Sequence, residues 1–418
     1  MIVYKFGGAS VRDAAGIRNL HDLVLREKEK LVVVVSAFGK TTNALEEVFN
    51  SWYGRESGYS EKISLLSKYH LSVTNELFGT GSETEEKLNE SFSSFLARLE
   101  NVVPHDYDHD YDMIVSMGEI WSTIVVEGYL RFRGIRSRWT DIRKLLVTDG
   151  RHRDAGIIWD ESAERIISAF KFSDAAVCVT QGFIGATAGG EVTTLGREGS
   201  DYTAALIANM LDAEKVVVWK DVPGIMSADP RWIDSAETIS NISYNEAVEM
   251  TFSGAKVIHP NTIKPLHNKK IPMHVRSFID HDAPGTVISE EPTLGETRPI
   301  YVRKEDQILI SVLPKDLSFV MGENLADVFH LFSENGVKVN MVQAGAVSIN
   351  VCADNEEPKI GRVLDELRRD YTILFNEGAE MLTVRHYDEG SLHSITMGME
   401  VLISQTTRND LRIVARRR

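Results

Sequence analysis

The chain has 418 residues, 43% of them hydrophobic, which is enough for one large domain and a smaller one. Its formal net charge of −15, with no long basic run besides Arg416–Arg418, argues against nucleic acid or an anionic membrane as a partner. No apolar run reaches the ~20 residues of a membrane span, and the opening MIVYKFGG lacks the features of a signal peptide. The two cysteines, Cys178 and Cys352, lie in apolar strand-like runs and predict no disulfide framework. We therefore expect a soluble cytoplasmic protein.

Strands and helices alternate over residues 1–289. The first strand is IVYKF, a helix follows at about 13–27, and LVVVVSA is typical of a strand covered on both faces. A polar, helix-rich segment spans about 42–103. Later strands are predicted at AAVCVTQGF, KVVVWKDV and IPMHVRSF, and later helices at MGEIWSTIVVEGYLRF, near 159–170, 201–211 and 244–251, and at HPNTIKPLHNKK. The alternation predicts an α/β domain with a mostly parallel sheet between helical layers.

A segment rich in proline, glycine and acidic residues follows, and we assign 290–306 to a linker. Over 307–418, the order strand, helix, strand, strand, helix, strand predicts a ferredoxin-like α+β unit at about 308–376. After it, the strands EMLTVRH and MEVLISQ are separated by only 12 residues, YDEGSLHSITMG, without an apolar helical period. We therefore expect a complete first unit and a truncated second one.

The turn KFGGAS directly follows the first strand. Gly7 and Gly8 let the backbone come close to a phosphate, N–H groups of the next helix point toward it, and Lys5 supplies a positive charge. A tight strand-to-helix turn without a ligand explains the same glycines. The two interpretations are equally open on this motif alone.

The segment SAFGKTTN contains Gly39-Lys40-Thr41 but is not a P-loop, because Val34 stands where that motif needs its first glycine. Ser36, Thr42 and Asn43 are still candidates for binding a small ligand. Open α/β sheets bind ligands at the carboxyl ends of their strands, where this segment is predicted to lie.

Glu119 opens a helix in the segment SMGEIWST, directly after Gly118. An acidic residue in the first turn stabilises a helix through the helix dipole. On its own, the segment therefore favours a structural role for Glu119.

The turn TTLGREGSDYTAA places Arg197, Ser200 and Asp201 around two glycines, just before an amphipathic helix. Arg197 can clamp a carboxylate through two hydrogen bonds. Asp201 is also a common helix cap. Each residue has a structural explanation, but three polar groups in one glycine-loosened turn favour a ligand site.

The run HDYDHDYD at 105–112 has no standard metal-ligand spacing, and we interpret it as a polar loop. His152, in the segment RHRD, is expected at the surface. We predict no metal-binding residues in this chain.

Taken together, the motifs closely resemble those of the aspartate kinases (aspartokinases), which have the amino-acid kinase fold. The matching segments are KFGGAS, SAFGKTTN, SMGEIWS, VTQGFIG, TTLGREGSDYTAA, WKDVPGIMSADPR and FSGAKVIHP, in the family's order and over residues 1 to about 290. The tail from about 300 resembles the family's ACT regulatory region. The resemblance implies a three-layer α/β/α amino-acid kinase (carbamate kinase-like) domain and a small ferredoxin-like ACT region.

The resemblance also implies roles for individual residues. Lys5 and Asp201 are the catalytic residues. The aspartate site comprises Ser36, Thr42, Glu119, Arg197 and Ser200, in which Glu119 pairs with the α-ammonium and Arg197 with the α-carboxylate. The nucleotide site comprises Lys5, Gly7, Gly8, Lys220, Asp221, Met226, Arg231 and Lys256. Three positions depart from the usual pattern, since Ala9 replaces a threonine and Lys220 and Met226 replace the threonine and tyrosine of some relatives.

The implied reaction is ATP-dependent phosphorylation of the L-aspartate β-carboxylate, with Mg²⁺, at the start of lysine, threonine and methionine biosynthesis. We expect a monofunctional member, without a homoserine dehydrogenase domain, that forms a homodimer or higher homo-oligomer through the ACT region. Asn340 and QAGA at 343–346 stand where lysine-sensitive relatives have an aspartate and a Thr/Ser/Glu-rich run. We therefore expect a weak response to lysine or none.

Two alternatives stay open at this stage. One is another kinase of the same fold that acts on a different small carboxylate. The other is a non-catalytic amino-acid sensor that uses the ACT-like region, which the set of Lys5, Glu119, Arg197 and Asp201 disfavours because a sensor needs no phosphate-binding turns.

Overall fold

The computed structural model describes residues 1–173, 175–255, 258–291, 298–316, 323–388, 390 and 395–417. The chain forms two compact units. The first comprises Met1–Ile225, Thr238–Asn245 and Ile258–Thr293, and the second comprises Met226–Glu237, Glu246–Val257 and Leu294–Arg418. The second unit therefore includes two segments from inside the range predicted as the first domain. No helix in the described part of the chain has the length and apolar character needed to cross a bilayer.

Eleven strands and ten α-helices lie within the described residues up to Ser289. The strands are β1 (Ile2–Phe6), β2 (Leu31–Val35), β3 (Ser137–Thr140), β4 (Val147–Thr148), β5 (Val177–Gln181), β6 (Ile184–Thr187), β7 (Val192–Thr194), β8 (Lys215–Lys220), β9 (Asn241–Ser243), β10 (Met273–Ser277) and β11 (Thr286–Ser289). The helices are α1 (Ala14–Arg26), α2 (Thr41–Tyr53), α3 (Tyr59–Phe78), α4 (Glu83–Asn101), α5 (Tyr107–Val115), α6 (Met117–Phe132), α7 (Trp159–Ala169), α8 (Gly199–Met210), α9 (Tyr244–Ser253) and α10 (Pro260–Lys269).

The main sheet has eight strands in the order β3-β5-β2-β1-β8-β10-β11-β9. All neighbouring pairs are parallel except β10 and β11, which confirms the predicted α/β class. The strands β1, β2 and β5 are buried at every position, because helices cover both faces of the sheet. A small second sheet has the order β4-β6-β7. The carboxyl ends of β1, β2 and β8 thus lie side by side.

The segment interpreted as a polar loop at 105–112 is mostly helix, and that interpretation is wrong. Asp106 caps α5 by accepting a hydrogen bond from the His109 N–H at 2.8 Å, and Asp110 and Asp112 are fully buried. The helix was hidden in the sequence because two of its buried positions, Asp110 and Asp112, carry acidic side chains instead of apolar ones. His152 is not at the surface either, since its side chain is 12% exposed and its Nδ1 lies 3.0 Å from Asp112 Oδ2.

The second unit is a six-stranded antiparallel sheet with helices. Its elements are β12 (Ile300–Pro314), α11 (Glu323–Glu334), β13 (Val339–Ala344), β14 (Ile349–Asp354), α12 (Lys359–Asp370), β15 (Tyr371–Arg385), β16 (Met399–Thr406) and β17 (Asp410–Arg417). The sheet order is β13-β14-β12-β15-β17-β16. The first four strands and the two helices form the ferredoxin-like unit of an ACT region, as expected. The apolar side chains of α11 and α12, such as Phe332 and Val363, pack with Ile308 and Ile310 of β12.

The strand β12 begins at Ile300, six residues before the predicted linker ends at 306. Its first half, Ile300–Lys304, pairs with the second half of β15, and a register shift separates the two halves. The stretch YVRKEDQ is polar enough to hide the alternation of buried and half-buried residues that marks a strand. β17 pairs with the second half of β15 and β16 pairs with β17, so the sheet continues beyond the first ACT-like unit. Residues 389 and 391–394 of the segment YDEGSLHSITMG lie outside the described residues, and a truncated second unit remains a prediction.

Candidate active site

A cavity of about 370 Å³ opens in the first unit. It is lined by residues at the carboxyl ends of β1, β2 and β8 and by the N-terminal turn of α8. This is the position in which open α/β sheets bind their ligands.

Ten of the predicted site residues line this cavity, although they are spread over more than half of the chain. They are Lys5, Gly7, Gly8, Ser36, Thr42, Glu119, Ser200, Asp201, Lys220 and Asp221. Arg197 is exposed, in the turn between Gly196 and Glu198, which both line the cavity.

Two other predicted nucleotide residues belong to the second unit. Met226 and Arg231 lie in the second unit, where Arg231 is exposed and pairs with Asp229 at 2.6 Å. Lys256 lies outside the described residues. Their nucleotide contacts remain a prediction.

Gly7 and Gly8, the two glycines after β1, differ in why their positions suit glycine. A Cβ added at Gly8 would lie 2.5 Å from the Ala37 carbonyl oxygen and 3.0 Å from that of Gly39, so Gly8 is required for close packing of two loops. The Gly39 N–H donates to the Gly8 carbonyl at 2.9 Å across the same contact. At Gly7 an added Cβ would meet only Lys5 Nζ, at 3.6 Å. Gly8 therefore fixes the turn, and Gly7 leaves open space beside Lys5 in the cavity.

The turn before α8 also needs unusual backbone angles. Gly196 has φ of 71° and Glu198, the residue before the helix, has φ of 54°. A Cβ at Gly199 would lie 2.7 Å from the Phe183 ring. No side chain caps α8, and its first residues border the cavity. The positive end of the helix dipole is thus directed at the cavity, where it favours an anion.

A buried carboxylate holds two lysines at one side of the cavity. Asp201 Oδ1 lies 2.7 Å from Lys5 Nζ and Asp201 Oδ2 lies 3.7 Å from Lys220 Nζ. Burial acts to raise the pKa of Asp201, but the two lysines outweigh it and hold that pKa below its usual value. Asp201 is therefore ionised, and the group presents a net positive charge to the cavity.

Glu119 lies in the first turn of α6 and is fully enclosed. Its Oε1 accepts a hydrogen bond from the Ala37 N–H at 2.9 Å, and its Oε2 has no hydrogen-bond partner among the described residues. Burial raises the pKa of Glu119 to about 8, against the opposing effects of the Ala37 N–H, of Lys5 and of the Gly182 N–H. A buried carboxylate with one free oxygen lacks a cation, which a ligand can supply.

Sequence reasoning missed several cavity residues. Phe183, with φ of 67°, follows β5, and Trp219 is the second-last residue of β8, with its ring stacked 6.3 Å from Phe6. Phe183 is the last residue of the predicted strand AAVCVTQGF, and that position was the available signal, whereas Trp219 lies inside the predicted strand KVVVWKDV. Ser10 and Gly39 also line the cavity and lie in segments already singled out.

Comparison with known proteins gives a consistent result. The profile of the amino acid kinase family matches residues 1–277. The chain is 32% identical to lysine-sensitive aspartokinase 3 of Escherichia coli K12 over 362 residues, 85% of this chain and 78% of the relative. It is 29% identical to the chloroplastic bifunctional aspartokinase/homoserine dehydrogenase 2 of Arabidopsis thaliana over 400 residues, 90% of this chain and 42% of the relative. The chain thus spans about two fifths of the bifunctional relatives that it matches.

Among solved structures, E. coli aspartokinase III in complex with aspartate and ADP is similar over the full length. The TM-score is 0.84 with 27% sequence identity, and the match covers 100% of this chain and 96% of that one.

Proposed function

Because the chain belongs to the amino acid kinase family, within its aspartokinase branch, we propose that it transfers the γ-phosphoryl group of ATP to the β-carboxylate of L-aspartate. The products are ADP and 4-phospho-L-aspartate. This reaction is the first step of lysine, threonine and methionine biosynthesis. The observation that carries the proposal is that one cavity contains groups of opposite charge. Lysines held by Asp201 suit phosphates, and the buried Glu119 suits an ammonium group.

The chemistry explains why the cavity needs no general base. The nucleophile is a carboxylate with an ordinary pKa near ~3.9, so it is already ionised at neutral pH. The obstacle is repulsion between two anions that must meet in line. Lys5, Lys220 and the N-terminus of α8 reduce that repulsion at fixed positions. Asp201 is tied to two lysines and has a lowered pKa, so it organises them rather than accepting a proton.

Mg²⁺ fits this donor set as a companion of the nucleotide. Mg²⁺ keeps several waters and is held by one or two carboxylates together with substrate phosphates. Asp221 is an exposed carboxylate at the cavity, whereas Asp201 is already engaged by lysines. Asp221 is therefore the residue of this chain that would hold Mg²⁺. The ion would neutralise negative charge on the phosphates of the nucleotide.

The test of the proposal is a substrate panel. ADP release is measured by a coupled assay with aspartate, glutamate and N-acetylglutamate as acceptors. We expect turnover with aspartate and at least a hundredfold lower kcat/KM with the other two. Faster turnover with glutamate or N-acetylglutamate would favour the other kinases of this fold, and absence of nucleotide binding by calorimetry would favour an amino-acid sensor.

Replacing Arg197 by alanine is expected to raise the KM for aspartate about 10- to 100-fold with little change in kcat. A charge-assisted bond to the α-carboxylate contributes about 1.5–3 kcal/mol, and an exposed arginine in a glycine-bounded turn can reach a ligand in the adjacent cavity. Arg165→Ala is the matched control, because Arg165 pairs with Glu161 on α7. An unchanged KM in Arg197→Ala would refute the clamp.

Lysine is expected to inhibit weakly or not at all. Asn340 is buried and donates to Asp354 Oδ1 at 2.6 Å, and Lys304 Nζ lies 2.5 Å from the same oxygen. The carboxylate nearest Asn340 is thus already neutralised by the chain's own ammonium, and a cationic effector gains no free charge there. Titration of activity with lysine, and with threonine for comparison, measures the response. Half-inhibition by lysine in the sub-millimolar range would contradict this account.

We propose at least a homodimer through the ACT-like region. Its sheet has β13 and β16 as edge strands, and Leu374 and Phe375 of β15 expose 62% and 39% of their surface. Unpaired edges and exposed apolar side chains favour association. Val328 and Phe332 of α11 are buried in the unit's own core and do not contribute. Light scattering at micromolar concentration is expected to give twice the chain mass or more, and a monomer would refute the proposal.

A further inference from the structure

Two histidines and one buried aspartate converge at the start of α5. Asp110 is fully buried, and its Oδ1 lies 2.9 Å from His109 Nδ1 and 3.3 Å from His105 Nδ1. One possible ligand atom from each residue lies within 4.8 Å of the others. None of the three lines the cavity of the candidate active site. The cluster is therefore a separate feature of the first unit.

We propose that His105, His109 and Asp110 bind one divalent transition-metal ion of the zinc class. Two imidazole nitrogens and a carboxylate oxygen are ligands that zinc prefers over magnesium and calcium. Ligands at about 2.0–2.1 Å from a tetrahedral zinc ion lie roughly 3.3 Å from one another. The separations from Asp110 to the two histidines are close to that value, so an ion needs only small movements of the rings.

The surroundings hold two of the three ligands in place. Asp110 Oδ2 accepts a hydrogen bond from the His105 N–H at 2.9 Å, which fixes the carboxylate. The His109 ring packs edge-on against the His152 ring at 5.1 Å, and His152 is itself fixed by Asp112. The His105 side chain is 63% exposed, which leaves one side of the site open for a water ligand. Such support of the ligands from outside is typical of metal sites.

The local charge also favours a cation. Asp106 and Asp108 lie on the same turns as Asp110, and Asp108 is partly offset by Arg153 at 3.2 Å. These carboxylates oppose the positive end of the helix dipole at this position. Without an ion, both imidazoles would instead donate Nδ1–H bonds to the one Asp110 oxygen. That closed hydrogen-bonded arrangement is the alternative that the experiment must exclude.

The proposed metal site lies where it can stabilise the segment that carries the turn with Arg197, and it takes no part in phosphoryl transfer. Asp112, two residues after Asp110, is fully buried and accepts hydrogen bonds from the Arg153 N–H and from the N–H and Oγ1 of Thr194. Thr194 ends β7, three residues before Arg197. An ion at the start of α5 would therefore strengthen the helix that anchors this strand.

The experiment is calorimetric titration of the EDTA-treated, tag-free full chain with Zn²⁺, and separately with Mg²⁺. We expect one Zn²⁺ per chain with micromolar or tighter affinity, no Mg²⁺ binding at this site, and visible absorption bands of tetrahedral Co²⁺ on substitution with cobalt. His105→Asn and His109→Gln are each expected to weaken Zn²⁺ binding at least tenfold. His105 is mostly exposed, so His105→Asn is expected to fold. It therefore provides the test if His109→Gln does not fold.

The matched control is His330→Asn, since His330 is an exposed histidine 3.1 Å from Glu334 on α11, and it should bind Zn²⁺ as the parent does. Absence of Zn²⁺ binding by the parent chain would overturn the proposal. Equal Zn²⁺ affinity in the parent and His105→Asn would also overturn it. Since the readout is metal affinity, the result does not depend on the proposed kinase activity.

Discussion

Replacing Lys5 by methionine is expected to lower kcat about a thousandfold or more. Lys5 is a buried cation at the cavity, 2.7 Å from Asp201, and methionine keeps most of its length without its charge. A positive group held in place beside the phosphoryl group stabilises the negative charge of the transition state, and its removal lowers the rate about 10²- to 10⁵-fold. Steady-state kinetics with aspartate and ATP measure the loss.

The matched control for Lys5 is Lys269→Met, because Lys269 pairs with Asp212 at 2.5 Å and is partly exposed. Its kcat should stay within about twofold of the parent, as expected for a surface ion pair. The melting temperature shows whether the Lys5 variant is folded, and Asp201 retains Lys220 at 3.7 Å in that variant. A folded Lys5→Met variant with kcat near that of the parent would refute the catalytic role of Lys5.

Replacing Glu119 by glutamine is expected to raise the KM for aspartate about a hundredfold or more. The substrate ammonium would be buried beside a neutral amide instead of a carboxylate, and an unpaired buried charge costs about 3–5 kcal/mol. Glu127→Gln is the matched control on the same helix, since Glu127 accepts a hydrogen bond from Ser137 Oγ at 3.0 Å, lies 3.9 Å from Arg131 and does not line the cavity. Equal KM values for the two variants would refute the ammonium-binding role.

The parent enzyme should also show a pH dependence that Glu119→Gln lacks. The pKa of Glu119 is raised to about 8 in the free site, and only its ionised form attracts an ammonium. Below that pH a proton must leave before aspartate binds, so KM should fall nearly tenfold per pH unit from about pH 6 toward 8 and then level off. A KM for aspartate that is flat over this range in the parent would contradict the assignment.

Much of the site was predictable because parallel strands place their carboxyl ends at one edge. Lys5, Ser36 and Lys220 lie at or next to the ends of β1, β2 and β8, and the strands themselves were visible as apolar runs. The state of Glu119 was not predictable, since the same sequence suits a solvent-exposed helix start. Its burial and its free oxygen arise from packing against the loop after β2, 82 residues earlier in the chain.

The fold departs from prediction where local patterns are weak or where distant segments combine. The short strands β9 and β11 add to the main sheet without a run long enough to recognise. The segments 226–237 and 246–257 join the second unit, which no local pattern indicates. The acidic composition of α5 is typical of a loop, and the burial of Asp112 was not predictable because its partners, Thr194 and Arg153, come from distant parts of the chain.

The most direct test of the central proposal is detection of the acyl phosphate itself. The enzyme is incubated with ATP, Mg²⁺ and aspartate in the presence of hydroxylamine, which converts an acyl phosphate to a hydroxamate, and ADP and hydroxamate are measured together. We predict one aspartyl β-hydroxamate for each ADP released, and neither product in Lys5→Met above the background. ADP release without hydroxamate, or hydroxamate on the α-carboxyl group, would show that the cavity does not direct phosphoryl transfer to the β-carboxylate.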